Sequence, residues 1–389
     1  MPIINRIAAY QPDMAEWRRD IHRHPELAYQ ENRTAAKVAA MLREFGFDEV
    51  EEGIGKTGVV GVLRNGDGPR IGLRADMDAL PLHEISDKPY KSVHDGVMHA
   101  CGHDGHTAML LGAARYLAEN RNFKGTTVFV FQPAEEGAAG ARAMIEDGLF
   151  DRYPVDFIYG VHNMPGLPAG KIAIGAGPIM AAADSFEVIV QGRGGHGAMP
   201  QSTADPVVAA SAMVMALQTI ASRNLDPVKT LVISVTQFHG GDAFNVIPDT
   251  VKLGGTVRYF EPEIGALTKR RMREVLDGVA AAYGVSATLN YSEGYPPTIN
   301  HAESAAFAQS VATDVAGDAQ VLCEQPAVMG SEDFSFFLQV KPGAYAWIGN
   351  GEGEGCHHLH NPHYDFNDDI MPIGASYFSR LVETALPKG

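Results

Sequence analysis

Residues 126–134, TTVFVFQPA, decide the class of fold. Apolar side chains follow one another almost without interruption, so both faces of a strand formed here would be buried, and Gln132-Pro133 would end it. Similar runs occur at TGVVGVLR (57–64), PRIGLRAD (69–76) and VDFIYGVH (155–162), with helix-like segments between them. Strands of this kind that are separated by helices are typical of a mostly parallel sheet covered on both faces. The sequence therefore predicts an α/β fold with helices flanking the sheet.

The pattern changes at about Ala183. From there the predicted order is strand (SFEVIVQG), helix (205–223), strand (TLVISVTQF), strand (VKLGGTVRYF), helix (262–283) and strand (SATLNY). This β-α-β-β-α-β order is that of a ferredoxin-like unit. After Gly294 the α/β pattern returns, with a helix over 303–316, the strand GAYAWIGN and a closing helix over 370–386. We predict a discontinuous first domain, residues 1–182 and 294–389, and an inserted domain over 183–293.

Composition limits the classes of partner. The 389 residues are 45% hydrophobic and 20% charged, with a formal net charge of −16. An acidic chain lacks the basic surface that nucleic acids and anionic membranes attract, so a small molecule is the expected partner. The three cysteines are too few and odd in number for a disulfide framework, which fits a reducing compartment. No secretory signal pattern or long apolar run begins the chain, and we expect a cytoplasmic location.

Five short segments carry side chains that bind metals in other proteins. The first four lie at the carboxyl ends of strand-like runs, where open α/β sheets form their sites, and the fifth is near the C-terminus. The segments are IGLRADMDALP (71–81), MHACGHDGH (98–106), FVFQPAEEG (129–137), IYGVHN (158–163) and HHLHNPHYDFND (357–368).

Each segment taken singly has more than one interpretation. Cys101 and His103, two apart in a glycine-punctuated turn, could be a zinc-type pair, but Cys101 could also be a nucleophile activated by His103, or a small buried apolar residue. Of the neighbours Glu135 and Glu136, one could bind metal while the other faces the substrate as a base. The alternative for this pair is a solvated acidic turn at a helix N-terminus.

The histidines of the last two segments are also ambiguous when they are considered separately. His162 could be a hydrogen-bonded core residue, and His360 could belong to a histidine-rich surface loop. Their common position at loops of one sheet favours a shared role. A thiolate, three imidazoles and a carboxylate are the right number of ligands for two metal ions that share a bridge.

Nine blocks of sequence, in order along nearly the whole chain, resemble the signatures of the aminoacylase/carboxypeptidase family of dinuclear metallo-amidohydrolases. The branch that they resemble most contains hippurate hydrolases and indole-3-acetyl-amino-acid hydrolases. The blocks are RADMDALPL, MHACGHDGHTAMLLGAA, FQPAEEGAAGA, VHNMPGLPAGK, GGHGAMPQ, FNVIPD, GTVRYF, GSEDFSFF and LHNPHYDF.

The resemblance implies roles for individual residues. Glu135 would be the general base, and Asp76 a buried carboxylate that orients a metal ligand. The metal ligands, with Cys101 as the bridge, would be Cys101, His103, Glu136, His162 and His360. Many relatives have His-x-Asp where this chain has Arg74-Ala75-Asp76, and a bridging carboxylate where it has Cys101. These differences leave zinc, manganese, nickel and cobalt open as the two divalent ions of each subunit.

The resemblance also implies a zinc-exopeptidase-like catalytic domain and an inserted domain that serves as lid and dimerisation domain. His196 would stabilise the oxyanion in the site of the partner subunit, while Asn245 and Arg258 would hold the carboxylate of the substrate. Their alternative roles are a turn histidine, loop capping and a surface ion pair. The expected assembly is a homodimer, or a tetramer, through the inserted domain.

The implied activity is metal-dependent hydrolysis of the amide bond of N-acyl-L-amino acids, such as N-acetyl or N-benzoyl derivatives. A metallo-dipeptidase or carboxypeptidase acting on short peptides is the alternative within the same chemistry. Two hypotheses from other classes are a covalent thiol catalyst based on Cys101 and a non-catalytic metal-binding module.

Overall fold

The computed structural model describes residues 3–324 and 327–388, which form two compact units. Unit 1 takes the described residues within 1–177, 299–326 and 333–389, and unit 2 takes those within 178–298 and 327–332.

The helices and strands are numbered in chain order. The α-helices are α1 (Asn5–Ala8), α2 (Gln11–Arg23), α3 (Asn32–Glu44), α4 (His103–Asn120), α5 (Glu135–Ala138), α6 (Gly140–Glu146), α7 (Leu149–Arg152), α8 (Pro206–Thr219), α9 (Pro262–Tyr283), α10 (Ala302–Ala316), α11 (Phe334–Val340) and α12 (Met371–Ala385). The strands are β1 (Glu49–Ile54), β2 (Gly58–Asn65), β3 (Arg70–Asp76), β4 (Gly125–Gln132), β5 (Phe157–Pro165), β6 (Ile172–Ala173), β7 (Gly177–Met180), β8 (Ala183–Gln191), β9 (Gly195–His196), β10 (Leu231–His239), β11 (Val246–Ile247), β12 (Thr250–Tyr259), β13 (Ser286–Tyr295), β14 (Thr298–Asn300), β15 (Val321–Leu322) and β16 (Gly343–Gly351).

Unit 1 is built on an eight-stranded sheet with the order β1-β2-β4-β3-β5-β16-β6-β15. The four central strands, β4, β3, β5 and β16, run parallel to one another, whereas β2 and β6 are antiparallel to their inner neighbours. Residues 128–132 of the run quoted at the outset are all buried, as expected for a strand covered on both faces. The predicted α/β class with a mostly parallel sheet is confirmed.

Helix α4 has thirteen buried residues, and it packs against α2, α12 and β3. It begins at His103, because Gly102 enters the left-handed region (φ +91°) and serves as the N-cap. A Cβ at residue 102 would lie 2.2 Å from Asn163 Nδ2 and 2.5 Å from the Tyr364 hydroxyl. Glycine is therefore required here for both conformation and space, and it places His103 in the first turn of the helix.

Unit 2 has a four-stranded antiparallel sheet with the order β10-β12-β8-β13. Helices α8 and α9 supply apolar side chains to the same core as this sheet, including Met213, Leu217, Met272 and Leu276. The chain order β8-α8-β10-β12-α9-β13 and the strand order are those of a ferredoxin-like unit, as predicted.

Helix α8 carries apolar side chains both on the side that packs against this core and on its exposed side. Val208 and Met215 are 51% and 72% exposed in the single chain, and the edge strand β10 exposes Val232 and Phe238. Residues Pro206–Asn224 have the length and hydropathy of a membrane span, and 33% of that segment is buried. Length and hydropathy alone do not distinguish such a span from a helix whose outer face is covered by a second protein subunit.

Candidate metal centre

Four elements of unit 1 bring the predicted ligands to one edge of the sheet. Strand β5 ends soon after His162, and β4 ends just before the turn that carries Glu135 and Glu136. The N-terminus of α4 presents His103, directly after Cys101 and the Gly102 cap, and the loop after β16 presents His360. Because β3, β4, β5 and β16 are parallel, their carboxyl ends meet at the same edge, which explains why segments distant in sequence converge.

The side chains form three overlapping groups whose potential ligand atoms lie within 4.8 Å of one another. The groups are Cys101, His103 and His162; Cys101, Glu136 and His360; and His103, Glu135 and Glu136. Cys101 Sγ lies 3.4 Å from His162 Nε2, and His360 Nε2 lies 3.3 Å from Glu136 Oε1. All five predicted ligands and Glu135 are therefore brought together, and Cys101 belongs to two of the groups.

The two buried histidines of the cluster, His103 and His162, each use Nδ1 in a hydrogen bond, which leaves Nε2 directed into the cluster. His103 Nδ1 is paired with Asp78 Oδ1 at 3.1 Å, and His162 Nδ1 donates to the Asn163 carbonyl at 2.6 Å. His103 Nε2 is buried and has no hydrogen-bond partner within the described ranges, and the buried Glu136 Oε1 has none with hydrogen-bond geometry there, although His360 Nε2 lies 3.3 Å away. Buried polar atoms rarely lack a hydrogen-bond partner. A histidine that binds metal through one ring nitrogen typically donates from the other to a carboxylate or a carbonyl. The residues fit divalent cations.

The electrostatics of the cluster also favour bound cations. Burial raises the pKa of the Cys101 thiol well above its ordinary value, and the carboxylates of Glu136 and Glu135 raise it further. Burial and the neighbouring His106 ring hold the pKa of His162 well below its ordinary value, so this imidazole is neutral. A neutral imidazole can bind metal directly, whereas the thiol must lose its proton, which a divalent cation in contact with the sulfur would drive.

The carboxylate that orients His103 is Asp78, which the sequence analysis did not select. Asp78 Oδ1 binds His103 Nδ1, and Asp78 Oδ2 accepts a hydrogen bond from the backbone N–H of Glu136 at 2.9 Å. The predicted orienting residue, Asp76, instead binds His106 Nδ1 at 2.7 Å and Arg74 Nη1 at 2.8 Å, and its nearest approach to His103 Nε2 is 3.7 Å. One carboxylate, Asp78, thus fixes a residue from each of two ligand-bearing segments.

His106 is excluded as a ligand by its own hydrogen bonds, although it belongs to the MHACGHDGH segment. Its Nδ1 is paired with Asp76, and its Nε2 accepts from the backbone N–H of Asn163 at 2.9 Å. Both ring nitrogens are therefore engaged.

Glu135 is held in place by a second buried network. Its Oε1 lies 3.4 Å from the backbone nitrogen of Asp333, and its side chain is buried. Asp333 binds the Arg74 guanidinium at 3.1 Å and also accepts from Gln132 Nε2. Arg74 is fully buried and serves as a structural cation between Asp76 and Asp333.

The three predicted residues of the inserted domain all lie in unit 2. His196 in β9 is paired with Val246 in β11, next to Asn245, so His196 and Asn245 are neighbours on exposed segments. The Ala198 N–H donates to His196 Nδ1 at 3.0 Å, which leaves the Nε2 atom to carry the proton of a neutral ring. Arg258 is half-buried on β12, and no carboxylate lies within ion-pair distance of it in the part of the chain that the structure describes.

His22 on α2 supplies a pH-dependent contribution to the stability of unit 1. Its Nδ1 lies 2.9 Å from Asp104 Oδ2, and its Nε2 lies 3.5 Å from Glu84 Oε1. Burial alone would lower the pKa of His22, but these two carboxylates raise it to about 9 from an ordinary value of 6.5. The stabilisation is fully present below pH 6.5 and is lost as the pH rises through 9, so the free energy of unfolding should fall over that range by on the order of 3 kcal/mol.

Urea unfolding at several pH values tests this prediction. The His22→Gln variant should show a shallower decline of unfolding free energy between pH 6.5 and pH 9 than the unchanged protein, because the variant has no proton to lose at this position. The difference between the two slopes removes the contribution of every other titrating group. Equal slopes would contradict the prediction.

Unit 1 is an α/β unit in which thiol, imidazole and carboxylate ligands cluster at the carboxyl ends of parallel strands. This arrangement is typical of the class of proteins that bind two metal ions in one centre. Residues 72–384 match the sequence profile of peptidase family M20/M25/M40. The chain belongs to this family, and the resemblance found in the sequence is confirmed.

Curated relatives and a solved structure agree with this assignment. The chain is 46% identical to the hippurate hydrolase of Campylobacter jejuni subsp. jejuni, with 98% of each chain covered. It is 42% identical to IAA-amino acid hydrolase ILR1-like 2 of Arabidopsis thaliana, covering 96% of this chain and 86% of that protein. A dinuclear metal-binding peptidase of the M20 family from Bacillus subtilis superposes with a TM-score of 0.85 at 35% identity, over 96% of this chain and 98% of the other.

Proposed function

We propose that this protein is a metal-dependent amidohydrolase that cleaves the amide bond of N-acyl-L-amino acids to a carboxylate and a free amino acid. The observation that carries the proposal is the convergence in unit 1 of four potential ligands around Cys101, with the buried carboxylate of Glu135 beside them. Relatives named for the hydrolysis of hippurate and of IAA-amino acid conjugates support this choice of substrate class. The cytoplasmic location stays a prediction from the sequence.

The ligand groups indicate which residues would hold two cations. Cys101, His103 and His162 would hold one, and Cys101, Glu136 and His360 would hold the other, with the sulfur shared. Bound divalent cations supply Lewis acidity, which makes water a stronger acid and a carbonyl carbon a better electrophile. The mixture of a soft thiolate with imidazoles and a carboxylate is compatible with zinc, nickel, cobalt or manganese.

Glu135 would transfer the proton during hydrolysis. Its carboxylate is buried, lies in the same cluster as His103 and Glu136, and accepts from the Asp333 backbone N–H, which fixes the direction of its oxygens. In that position it would take a proton from the attacking water and later donate it to the departing amine. The low exposure of Glu135 keeps competing solvent away from the proton that it holds.

Unit 2 would supply the contacts to the substrate. Arg258 presents a half-buried guanidinium that could form a two-pronged contact with the carboxylate of the amino-acid part, and Asn245 could donate to the same group. His196 carries its proton on Nε2, as a hydrogen-bond donor to a developing oxyanion must.

A homodimer through unit 2 is part of this proposal. The exposed apolar side chains of α8 and the unpaired edge of β10 are features that a second subunit would cover, since an open strand edge can pair with the same strand of another chain. In such a dimer His196 would act in the active site of the partner. Each subunit alone would then be nearly inactive.

Hybrid dimers test this arrangement. His196→Ala and Glu135→Gln subunits should each be inactive alone, and an equal mixture should recover about a quarter of the original activity, because half of the dimers are hybrids and each hybrid has one complete site. As a control, His196→Ala mixed with a His196→Ala/Glu135→Gln double variant should recover nothing. Absence of recovery after mass spectrometry has verified subunit exchange would contradict the role in trans.

A substrate screen tests the activity itself. Purified protein that has been stripped with chelator and reloaded with zinc, manganese, nickel or cobalt should hydrolyse N-acetyl- or N-benzoyl-amino acids. Activity should vanish with chelator and return with metal, whereas a covalent thiol catalyst would keep its activity in chelator and lose it to alkylation. Hydrolysis of dipeptides with a free amino group, but of no N-acyl amino acid, would favour the peptidase alternative. Binding without any turnover would favour a non-catalytic module.

A further inference from the structure

Arg18 on α2 is a fully buried cation that contacts three carboxylates. Its Nη1 lies 3.5 Å from Asp104 Oδ2 and 3.1 Å from Asp365 Oδ1, and its Nε donates to Asp368 Oδ1 at 2.7 Å. Burial alone would lower the pKa of Arg18, but these carboxylates raise it, so the guanidinium remains charged. Neither the proposed hydrolysis nor the metal cluster uses this residue directly.

The three carboxylates belong to the two segments that carry predicted ligands. Asp104 follows His103 in the first turn of α4. Asp365 follows His360 in the last loop, and Asp368 begins the short 3-10 helix that leads into α12. Arg18 therefore joins the segment of His103 to the segment of His360. An arginine is suited to this task because its planar guanidinium presents donors in several fixed directions, which a lysine ammonium cannot do.

The loop that carries His360 includes two glycines, Gly353 and Gly355, with positive φ angles. The side chain of His360 is 55% exposed. The His360 N–H donates to the Ala100 carbonyl at 2.8 Å, while the residue itself adopts a left-handed conformation (φ +60°) that is unfavourable for a side chain with a Cβ. The surrounding contacts must hold this conformation.

Residues 85–90, which precede the MHACGH motif, also contact the loop that carries His360. The Tyr90 hydroxyl donates to Asp365 Oδ2 at 2.7 Å, and Lys88 Nζ lies 2.8 Å from the same oxygen. The Tyr90 ring lies 4.6 Å from the Arg18 guanidinium carbon, and the Ile85 N–H donates to the Pro362 carbonyl at 2.8 Å. Asp365 is thus the point at which Arg18, Lys88 and Tyr90 meet, and it follows His360 closely in sequence.

We propose that Arg18 is a positioning residue that sets the place of His360 relative to His103, and thereby the affinity for the cation that Glu136 and His360 hold. This inference rests on the proposed function. Loss of the guanidinium would leave Asp365 and Asp368 repelling each other beside Asp104, and the loop would shift away from the cluster. Helix α4 is packed on several sides, so His103 and the cation that it shares with Cys101 and His162 would be affected less.

Zinc binding measured by competition with a chromophoric chelator tests the proposal. Arg18→Lys should raise the dissociation constant of one of the two ions about tenfold or more, with little change for the other. The visible absorption of the cobalt-loaded protein should change in the same variant. Asp365→Asn is a second variant for the case in which Arg18→Lys does not fold. It changes the part-exposed carboxylate that Arg18 contacts, and it should weaken the binding of the same ion.

Arg19→Lys is the matched control. Arg19 also binds Asp368 and lies over Tyr90, but its side chain is 48% exposed, and its substitution should leave both affinities unchanged. If Arg18→Lys and Asp365→Asn lower the free energy of unfolding yet bind both ions as tightly as the unchanged protein, Arg18 has a purely structural role and the proposal fails. An unchanged protein that binds no divalent ion would instead refute the proposed function.

Discussion

Glu135→Gln is expected to lower kcat by about a thousandfold, the loss typical of removing a general base. Glutamine has nearly the shape of glutamate and can keep the contact with the Asp333 backbone, but it cannot accept the proton of the attacking water. The ligand groups that contain Cys101 do not include Glu135, so two metal ions per chain should remain bound.

Steady-state kinetics and elemental analysis of the same preparation measure these two effects. The matched control is Glu146→Gln, on α6 in the same part of the chain, where the side chain is 72% exposed and the substitution should alter neither kcat nor metal content. A Glu135→Gln variant that retains substantial turnover would show that another group takes the proton. A variant that loses its metal would instead make Glu135 a ligand.

Cys101→Ala is expected to abolish binding of at least one of the two ions and to lower activity by a factor on the order of a thousand or more. The reason is geometric, because Cys101 is the residue common to the group with His103 and His162 and to the group with Glu136 and His360. Alanine leaves no ligand atom, whereas serine could still bind weakly. Metal content after dialysis, together with kcat, measures the result.

Two further variants separate a bridging thiolate from a nucleophilic thiol. Cys101→Asp offers a carboxylate in place of the sulfur and should recover part of the metal binding and part of the activity, which a covalent thiol mechanism would not allow. Cys356→Ala is the control, because this thiol contacts the Gly351 carbonyl outside the ligand groups and its loss should have little effect. Full activity and full metal content in Cys101→Ala would overturn the proposed centre.

The sequence predicted the α/β class because continuous apolar strands such as β4 cannot be solvated on either face. It also predicted the ferredoxin-like unit, because hydrophobic periodicity changes between helix and strand in a specific order. It did not predict the start of α4 at His103. That start depends on Gly102 adopting a left-handed conformation against Asn163 and Tyr364, both of which are distant in sequence.

The residues of the candidate site likewise comprise those that the sequence predicted and those that only the structure identifies. Cys101, His103, Glu135, Glu136 and His162 could be selected from their positions after strands, and His360 from its resemblance to a known motif. The sequence could not show whether Asp76 or Asp78 orients a metal ligand, since the two residues lie close together at the end of β3 and both are buried. Only hydrogen-bond geometry shows that Asp78 binds His103 while Asp76 neutralises Arg74.

The sequence alone determined the family, the two kinds of unit and the chemical types of ligand, because these follow from local hydrophobic pattern and from the identity of short motifs. Tertiary structure alone decided which nitrogen of each histidine faces the cluster, which carboxylate supports which ligand, and that Arg18 joins the segments of His103 and His360. The physical reason is that hydrogen bonds and ion pairs between residues far apart in the chain depend on distances and directions that exist only once the chain has folded.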